Sequence, residues 1–440
     1  MNIYNFIRSY KIVNIQQMPL HETFFWTAFF FITGTLVASA TINFPTALMQ
    51  LEFAGVATLL IITTLYFLKK PYAPLVLALM VGAGYCIAYD LHRESTPIIF
   101  GRETKLEGVI EKAEQHLDYQ EITLENGIRI ITDKYPAFAY GDRIALMGTV
   151  KQSKSPLVRG FVNAYHTQIK IVGQHEGNAV KEYLYTFKNV FEGNLKKTLP
   201  SEKAAFLSGL TLGTTAEFSK DFLNDLRISG TTHLVALSGS NISQIINMLM
   251  LTLAWFLPRK KIFWPALLVI TIFVVMPGAE ASLVRAAIMN GIFLAGSHYE
   301  RAGSMRNAIV ATAFVMALGN PLVPAFDLGF QLSFAAILGM AYLKPILQKR
   351  SPWKNKEFMN AVSAQAAVMP VLAITVGHAN PVAIVPNMLI ALAVPYTVGL
   401  GFLTGALAFI SPLLAFAPAW LANILLSYEM AVIRIFARFM

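Results

Sequence analysis

Between Thr231 and Asn241 the chain reads TTHLVALSGSN. His233 precedes a short apolar run, which ends in four small polar residues, Ser238, Gly239, Ser240 and Asn241. Ser243 and Gln244 then open another apolar stretch. Small hydroxyl and amide side chains at a helix start accept hydrogen bonds from its orphan amide groups. The same helix end, aimed into a wet cavity, attracts anions such as phosphate. Helix cap and cavity lining are compatible roles, and the residue types support both.

Other polar residues interrupt apolar segments further on. Arg285 lies in GAEASLVRAAIMNGI, and an arginine in such a segment faces a bundle interior or a water path by default. The plainer readings are an ion pair with Glu280 or snorkelling to the interface. Asn290, on the same segment, reads as a helix–helix hydrogen bond. Asp327, Gln331 and Ser333 open another apolar helix, with Asp327 readable as a charge on the helix dipole. Gln365 precedes Pro370, which implies a kink or break, and Asn387 stands between Pro386 and Pro395. Singly, such residues hold helices together. Collectively, on broken helices, they are what pathways through membranes use.

Several chemistries are excluded. His233 and His378 have no HExxH or carboxylate cluster beside them, so no metal is expected. Ser238 lacks a GxSxG elbow, and there is no nucleotide-binding P-loop. The one cysteine, Cys86, can form neither an intrachain disulfide nor a cysteine-based metal site. No cofactor is expected.

The positioning elements follow from composition. The chain has 440 residues, 55% hydrophobic and 14% charged, with net charge +10. Soluble domains carry about a quarter charged residues, so this is an integral membrane protein. Apolar stretches of roughly 17–25 residues read as spans. Three come early, Phe24–Ile42, Phe53–Leu68 and Tyr72–Tyr89. Nine more are expected near Ile242–Leu257, Ile262–Pro277, Leu283–Ser297, Asn307–Leu318, Leu332–Leu347, Val362–Val376, Val382–Val398, Gly401–Pro412 and Trp420–Phe436, making roughly twelve. The first run follows a long leader and abuts Glu22, so it reads as an uncleaved span, not a signal peptide.

The middle of the chain, 91–180, alternates like β-structure. Asn126-Gly127 suits a hairpin turn, and several short strands there suggest a small barrel. Lys151, Lys154 and Arg159 gather in one loop, near the aromatic residues Tyr135, Phe138, Tyr140 and Phe161. Their plain roles are solvated loop and barrel packing. Residues 181–240 read as amphipathic or re-entrant helices, interrupted by Gly209, Gly213 and Gly230. The expected organisation is therefore 1–90 membrane helices, 91–180 β-domain, 181–240 re-entrant helices and 241–440 a membrane bundle.

Loop charges orient the chain. Arg8, Lys11, Lys69-Lys70, Arg259-Lys260-Lys261, Arg301 with Arg306, and the Lys344–Lys356 loop fall on alternate connections. By the positive-inside rule these face the cytoplasm, which puts the N-terminus inside and the β-domain outside. Ser238 to Asn241 and Asp327 to Gln331 fall on the outer side.

RISGTTHLVALSGSNISQI, SLVRAAIMNGI, DLGFQLSFAAILG and AVMPVLAITVGHANPVAIVPNMLIALAVP resemble, in order and spacing, blocks of the ComEC/Rec2 competence family. The N-terminal helices and the β-region ending in YGDRIALMGTV resemble that family's OB-like module. The resemblance implies a polytopic α-helical membrane protein with an inserted OB-like extracytoplasmic domain. It implies a channel in the bacterial inner membrane that passes single-stranded DNA into the cell during natural transformation. Its partners would be an outer DNA receptor, the lipid bilayer, and a cytoplasmic helicase with single-strand-binding proteins. The path would be lined by His233, Ser238, Gly239, Ser240, Asn241, Gln244, Arg285, Gln331, Ser333, Gln365 and Asn387. On the OB-like domain, Lys151, Lys154, Arg159 and Tyr140 would hold the strand. Many members carry histidine where this chain has Asn241. Many also end in a metallo-β-lactamase-like domain, and this sequence has no HxHxDH ligand set. No nuclease activity is therefore expected of it. The competing readings are a small-molecule permease, which predicts inverted repeats that the halves do not display, and an intramembrane hydrolase using Ser238 or Ser240.

Overall fold

The computed structural model describes residues 19–42, 73–94, 98, 100–153, 155–214, 217–235, 258–278, 281–299, 304–350, 356–375 and 383–439. The chain separates into two compact units, Met1–Pro97 with Ala302–Asp327, and Ile98–Arg301 with Leu328–Met440.

In the first unit, α1 (Leu20–Ile42) and α2 (Ala73–Glu94) lie against each other, and α1 also packs on α9 (Met305–Gly319) and the short α10 (Val323–Phe326). Two glycines set the α1–α2 approach. A Cβ on Gly34 would lie 2.0 Å from the Leu79 carbonyl oxygen, and one on Gly82 would lie 2.1 Å from that of Phe31. Small residues at a crossing let helix backbones meet in an apolar setting, where dispersion is the main attraction. Beside the crossing, Ser39 Oγ lies 3.3 Å from the buried Cys86 Sγ. Arg306 pairs with Glu22 and stands over the Phe25 ring at 4.3 Å.

The second unit begins with a seven-stranded sheet, ordered β5-β6-β3-β2-β1-β4-β7. The strands are β1 (Glu103–Gln115), β2 (Tyr119–Leu124), β3 (Ile128–Asp133), β4 (Arg143–Thr149), β5 (Lys151–Gln152), β6 (Gly160–Asn163) and β7 (Lys170–Gly173). The expected Asn126-Gly127 turn joins β2 to β3. Gly127 adopts φ +78°, its N–H donates to Leu124 O, and Asn126 Oδ1 accepts from Ile128 N. Strict alternation on β2 and β3 buries Ile122, Leu124, Ile128 and Ile130 on one face. β1 is long and shared: Glu103–Val109 pairs with β4, and Ile110–Gln115 with β2, across a register shift at Ile110–Lys112. The sheet does not close by strand pairing. β5 and β7 end its order, although β4 and β5 are separated by Val150 alone.

Next come α3 (Ala179–Thr198), α4 (Ser201–Leu212), α5 (Lys220–Ile228) and α6 (Thr232–Val235). Asn178 caps α3 by accepting from Val180 N and Lys181 N. Gly213 and Gly230 have positive φ and end α4 and α5, as their chain positions suggest. Gly209 does not interrupt α4. A Cβ there would lie 2.4 Å from Val235 and 2.8 Å from Phe218, so this glycine serves packing.

The remaining helices are α7 (Arg259–Val275), α8 (Ala281–His298), α11 (Leu328–Leu338), α12 (Lys344–Arg350), α13 (Lys356–Thr375), α14 (Ile384–Ala391), α15 (Val394–Ala408) and α16 (Pro412–Phe439). Gly339–Leu343 joins α11 to α12 as a π-helical turn. Gly339 lies there against Ser363 and Ala367 of α13, a close approach that a side chain would block.

Among the described residues, five helices are long and apolar enough to cross a membrane: Leu20–Ser39, Ala73–Arg93, Leu328–Lys349, Phe358–Thr375 and Pro412–Phe439. A sixth crossing would be Val385–Ala391 with Val394–Ala408, bent by 45°. The expected twelve are thus only partly found. Phe53–Leu68 and Ile242–Leu257 lie outside the described residues. Val382–Val398 and Gly401–Pro412 are not separate helices. The break falls at Leu392–Ala393, just before Pro395 in the first turn of α15. Gly401 is inside α15, where a Cβ would lie 2.7 Å from Leu207. α13 likewise continues through Pro370 to Thr375.

A Gly34→Val substitution is expected to force α1 and α2 apart, at the 1–3 kcal/mol or so that overpacking costs. Gly84→Ala, with nothing within 4 Å of the added carbon, is the control. Thermal stability in detergent should fall for Gly34→Val and stay unchanged for Gly84→Ala.

Candidate functional site: a row of buried polar groups

The segment leading into the opening motif is firmly seated. Ser229 and Thr231 are fully buried, with their hydroxyls 2.7 Å apart, and Ser229 Oγ donates to Asp225 O. Gly230, at φ +67°, lies against Ala383 at the start of α14, where a Cβ would be 2.5 Å from the alanine methyl. Asn387 Nδ2 donates to Gly230 O at 3.4 Å. Asn387 Oδ1 is buried without a partner. His233 lies on α6, while Ser238, Gly239, Ser240, Asn241 and Gln244 lie outside the described residues, as does His378.

Arg285 is on α8, 8% exposed, with its Nε buried and unpartnered. Glu280 falls outside the described residues. Arg285 lies in the second turn of α8, and a buried arginine in an apolar segment is costly unless it meets a partner or a water path. Asn290, one turn on, donates to Ala286 O of its own helix. α8 packs on α11, which carries Gln331 and Ser333. Ser333 Oγ is another buried atom without a partner, and Gln331 is half-buried. α11 packs on α13, which carries the half-buried Gln365, and α13 touches α14 with Asn387. Arg285, Ser333, Gln365 and Asn387 therefore stand on four helices in successive contact, and the last helix holds the turn before the motif.

Sequence reasoning missed Glu429. It is on α16 at 0% exposure, with Oε1 accepting from Thr397 Oγ1 at 2.6 Å and Oε2 unpartnered. The rule that singled out Arg285 applies equally to an acid in the middle of a 28-residue apolar helix. Ser208 Oγ on α4 and Thr404 Oγ1 on α15 are further buried orphans.

The sheet residues divide. Lys151 is exposed on β5, and Lys154 lies outside the described residues. Arg159 lays its stem along the β2–β3 turn, its Cγ 3.3 Å from a Cβ built on Gly127, with Nη1 near Asn126 O at 3.5 Å. Tyr140 is not an open platform. Its ring packs on Tyr185 at 5.1 Å, and its hydroxyl accepts from Asn178 N at 3.0 Å. Burial pushes the Tyr185 phenol up to about 12, so that side chain stays uncharged. Phe138 is in the sheet core. Tyr135, strongly exposed with the Lys134 ammonium 5.9 Å from its ring, is the aromatic that faces outward.

A family model described as Competence protein matches residues 210–440, just over half of the chain. The chain belongs to that family. ComE operon protein 3 of Bacillus subtilis (strain 168) is 26% identical over 212 residues, which cover 48% of this chain and 26% of the relative. The matched part is thus about a quarter of the relative's own length. No solved structure matches. Together with the apolar helices, the family makes this a multi-pass membrane protein. The matched region contains α5 to α16 and with them every residue of the polar row.

Outside the candidate spans, Glu192 on α3 is nearly buried, and burial raises its carboxyl despite Lys188 and a hydrogen bond from Thr214. A raised folded-state value means that stability is lost as pH climbs past the ordinary glutamate range. Glu192→Gln is expected to gain on the wild type as pH rises from acid to neutral, read as the difference in melting temperature across that range.

Proposed function

We propose that the protein is a conduit for single-stranded DNA across the bacterial cytoplasmic membrane during natural transformation. The observation that carries this is the set of buried polar groups, Arg285 foremost, on successively contacting helices of the region that matches the competence family. A row of phosphates moving through low dielectric needs hydrated walls and some positive potential. Buried polar atoms with no protein partner are what such a wall presents to water or to a strand. His233, Ser238, Gly239, Ser240, Asn241 and Gln244 would continue it from the α6 end, and Gln331 would add to it from α11.

The sheet is read as an OB-like module. This is supported by the shared, bent β1, by the parallel pairing of β3 with β6, and by β4 and β5 flanking Val150 so that one segment meets β1 first and β6 next. Such modules hold single strands on basic grooves with exposed aromatics. Lys151, Lys154 and Arg159 are the basic candidates here, with Lys134 and Tyr135 in place of the packed Tyr140. Loop charge puts the N-terminus in the cytoplasm and this module outside. A receptor would deliver DNA there, and a cytoplasmic helicase and single-strand-binding proteins would draw it in.

Uptake of labelled DNA into the cytoplasm should be lost in a deletion strain and restored by the intact gene; normal uptake without it would refute the reading. Arg285→Ala is expected to cut uptake at least tenfold, as the loss of one desolvated charge contact of about 1.4 kcal/mol or more would. The protein should still reach the membrane at the wild-type level. A matching loss of protein would make Arg285 structural.

A further inference from the structure

A cleft of about 330 Å³ opens between the first turn of α4 and the last turns of α16, lined by Glu202, Lys203, Ser427, Met430, Arg434 and Arg438 among others. Its charges do not cancel. Arg434 pairs with Glu202. Lys203 is held by neutral acceptors alone, Asn423 Oδ1 and Ser427 Oγ, each at 2.7 Å. Those two contacts leave the third ammonium hydrogen and the full charge to the cleft. Arg438 adds another cation, with no acidic partner among the described residues, so the lining holds three cations to one acid.

Depth and surroundings say what binds. α16 has 28 residues, about 42 Å at 1.5 Å per residue, against a hydrocarbon core of about 30 Å. Its last turns, with Arg434 and Arg438, therefore stand at headgroup level. Ile435, 51% exposed, and Phe439, 86% exposed, project from the same turns, and Met430 and Ala431 complete an apolar wall. Cations beside an apolar wall at headgroup depth match a phosphate with an acyl chain beneath it.

We propose that this cleft is a binding site for an anionic phospholipid, with Lys203 and Arg438 on the phosphate and Met430 and Ile435 along the chain. Arg434 is a positioning residue, tied to Glu202. The site is separate from the polar row and does not depend on DNA transport.

The test uses the full chain, purified in detergent, with phosphatidylglycerol or phosphatidylcholine added. Native mass spectrometry should show selective retention of phosphatidylglycerol, which should also raise the melting temperature. Arg438→Gln and Lys203→Gln should each weaken retention about fivefold, the effect of roughly one surface charge. Arg438→Gln, at an exposed position, should leave the melting temperature in phosphatidylcholine unchanged. Equal retention of the two lipids, or wild-type retention by both variants, would overturn the proposal. So would equal protection by inorganic phosphate, which would mark a free-phosphate site. Displacement of phosphatidylglycerol by a single-stranded oligonucleotide would also overturn it, as a nucleic-acid site.

Discussion

An apolar bundle offers no water to polar groups, so each must find its partner within the protein. Most hydroxyls here solve this locally. Ser39 donates to Thr35 O, Thr211 to Leu207 O, Thr312 to Ala308 O, and Ser363 to Met359 O, each one turn back on its own helix. Such bonds let a hydroxyl sit inside a span with no demand on a neighbour. Arg285, Ser333, Asn387 and Glu429 break the pattern, each keeping a buried atom without a partner. Buried polar groups are normally satisfied, and exceptions call for a specific reason. These four stand on helices in successive contact within the matched region, although Asn307 of α9 and residues of the sheet also keep buried atoms without a hydrogen-bond partner.

The sheet is joined to that bundle through α3. Tyr140 packs on Tyr185 and bonds the α3 cap, and Lys181 reaches Glu111. From the other face, Phe191 of α3 presses on Phe402 and on Gly405, where a Cβ would meet its ring at 2.2 Å. Lys220 of α5 pairs with Asp118 at the β1–β2 turn. The exposed ion pairs contribute about 0–1 kcal/mol each, so the aromatic contacts dominate. They make the sheet and the helices beneath it one body rather than a tethered domain.

Much of this was legible in the sequence. Alternation with Asn126-Gly127 located the β2–β3 hairpin, because the period of two and the positive φ are local demands. Arg285 was legible because an arginine in an apolar run has few cheap explanations. Glycine was harder to read. Gly213 and Gly230 end helices, whereas Gly209 and Gly401 lie inside helices and admit a partner side chain. The two uses look alike in the chain, since the second depends on a residue distant in sequence, such as Leu207 against Gly401. Tyr140 misled for the same reason: its composition suits stacking on a base, but Tyr185 already occupies its face. Glu429 was not legible because its one partner, Thr397, lies 32 residues away in the chain.

The two kinds of polar residue in the bundle divide by what surrounds them. Lys203 and Arg434 each have partners near a helix end, where water and headgroups screen what is left over. Arg285, and Glu429 outside its one bond from Thr397, are buried in the protein, each with an atom that meets no partner. A charge left over at an interface costs little and recruits a counter-ion from the membrane surface. A charge left over in the interior costs several kcal/mol, and a fold retains it only if something else enters to meet it. This difference in cost is why the interior row is read as a route, and the cleft at the end of α16 as a seat.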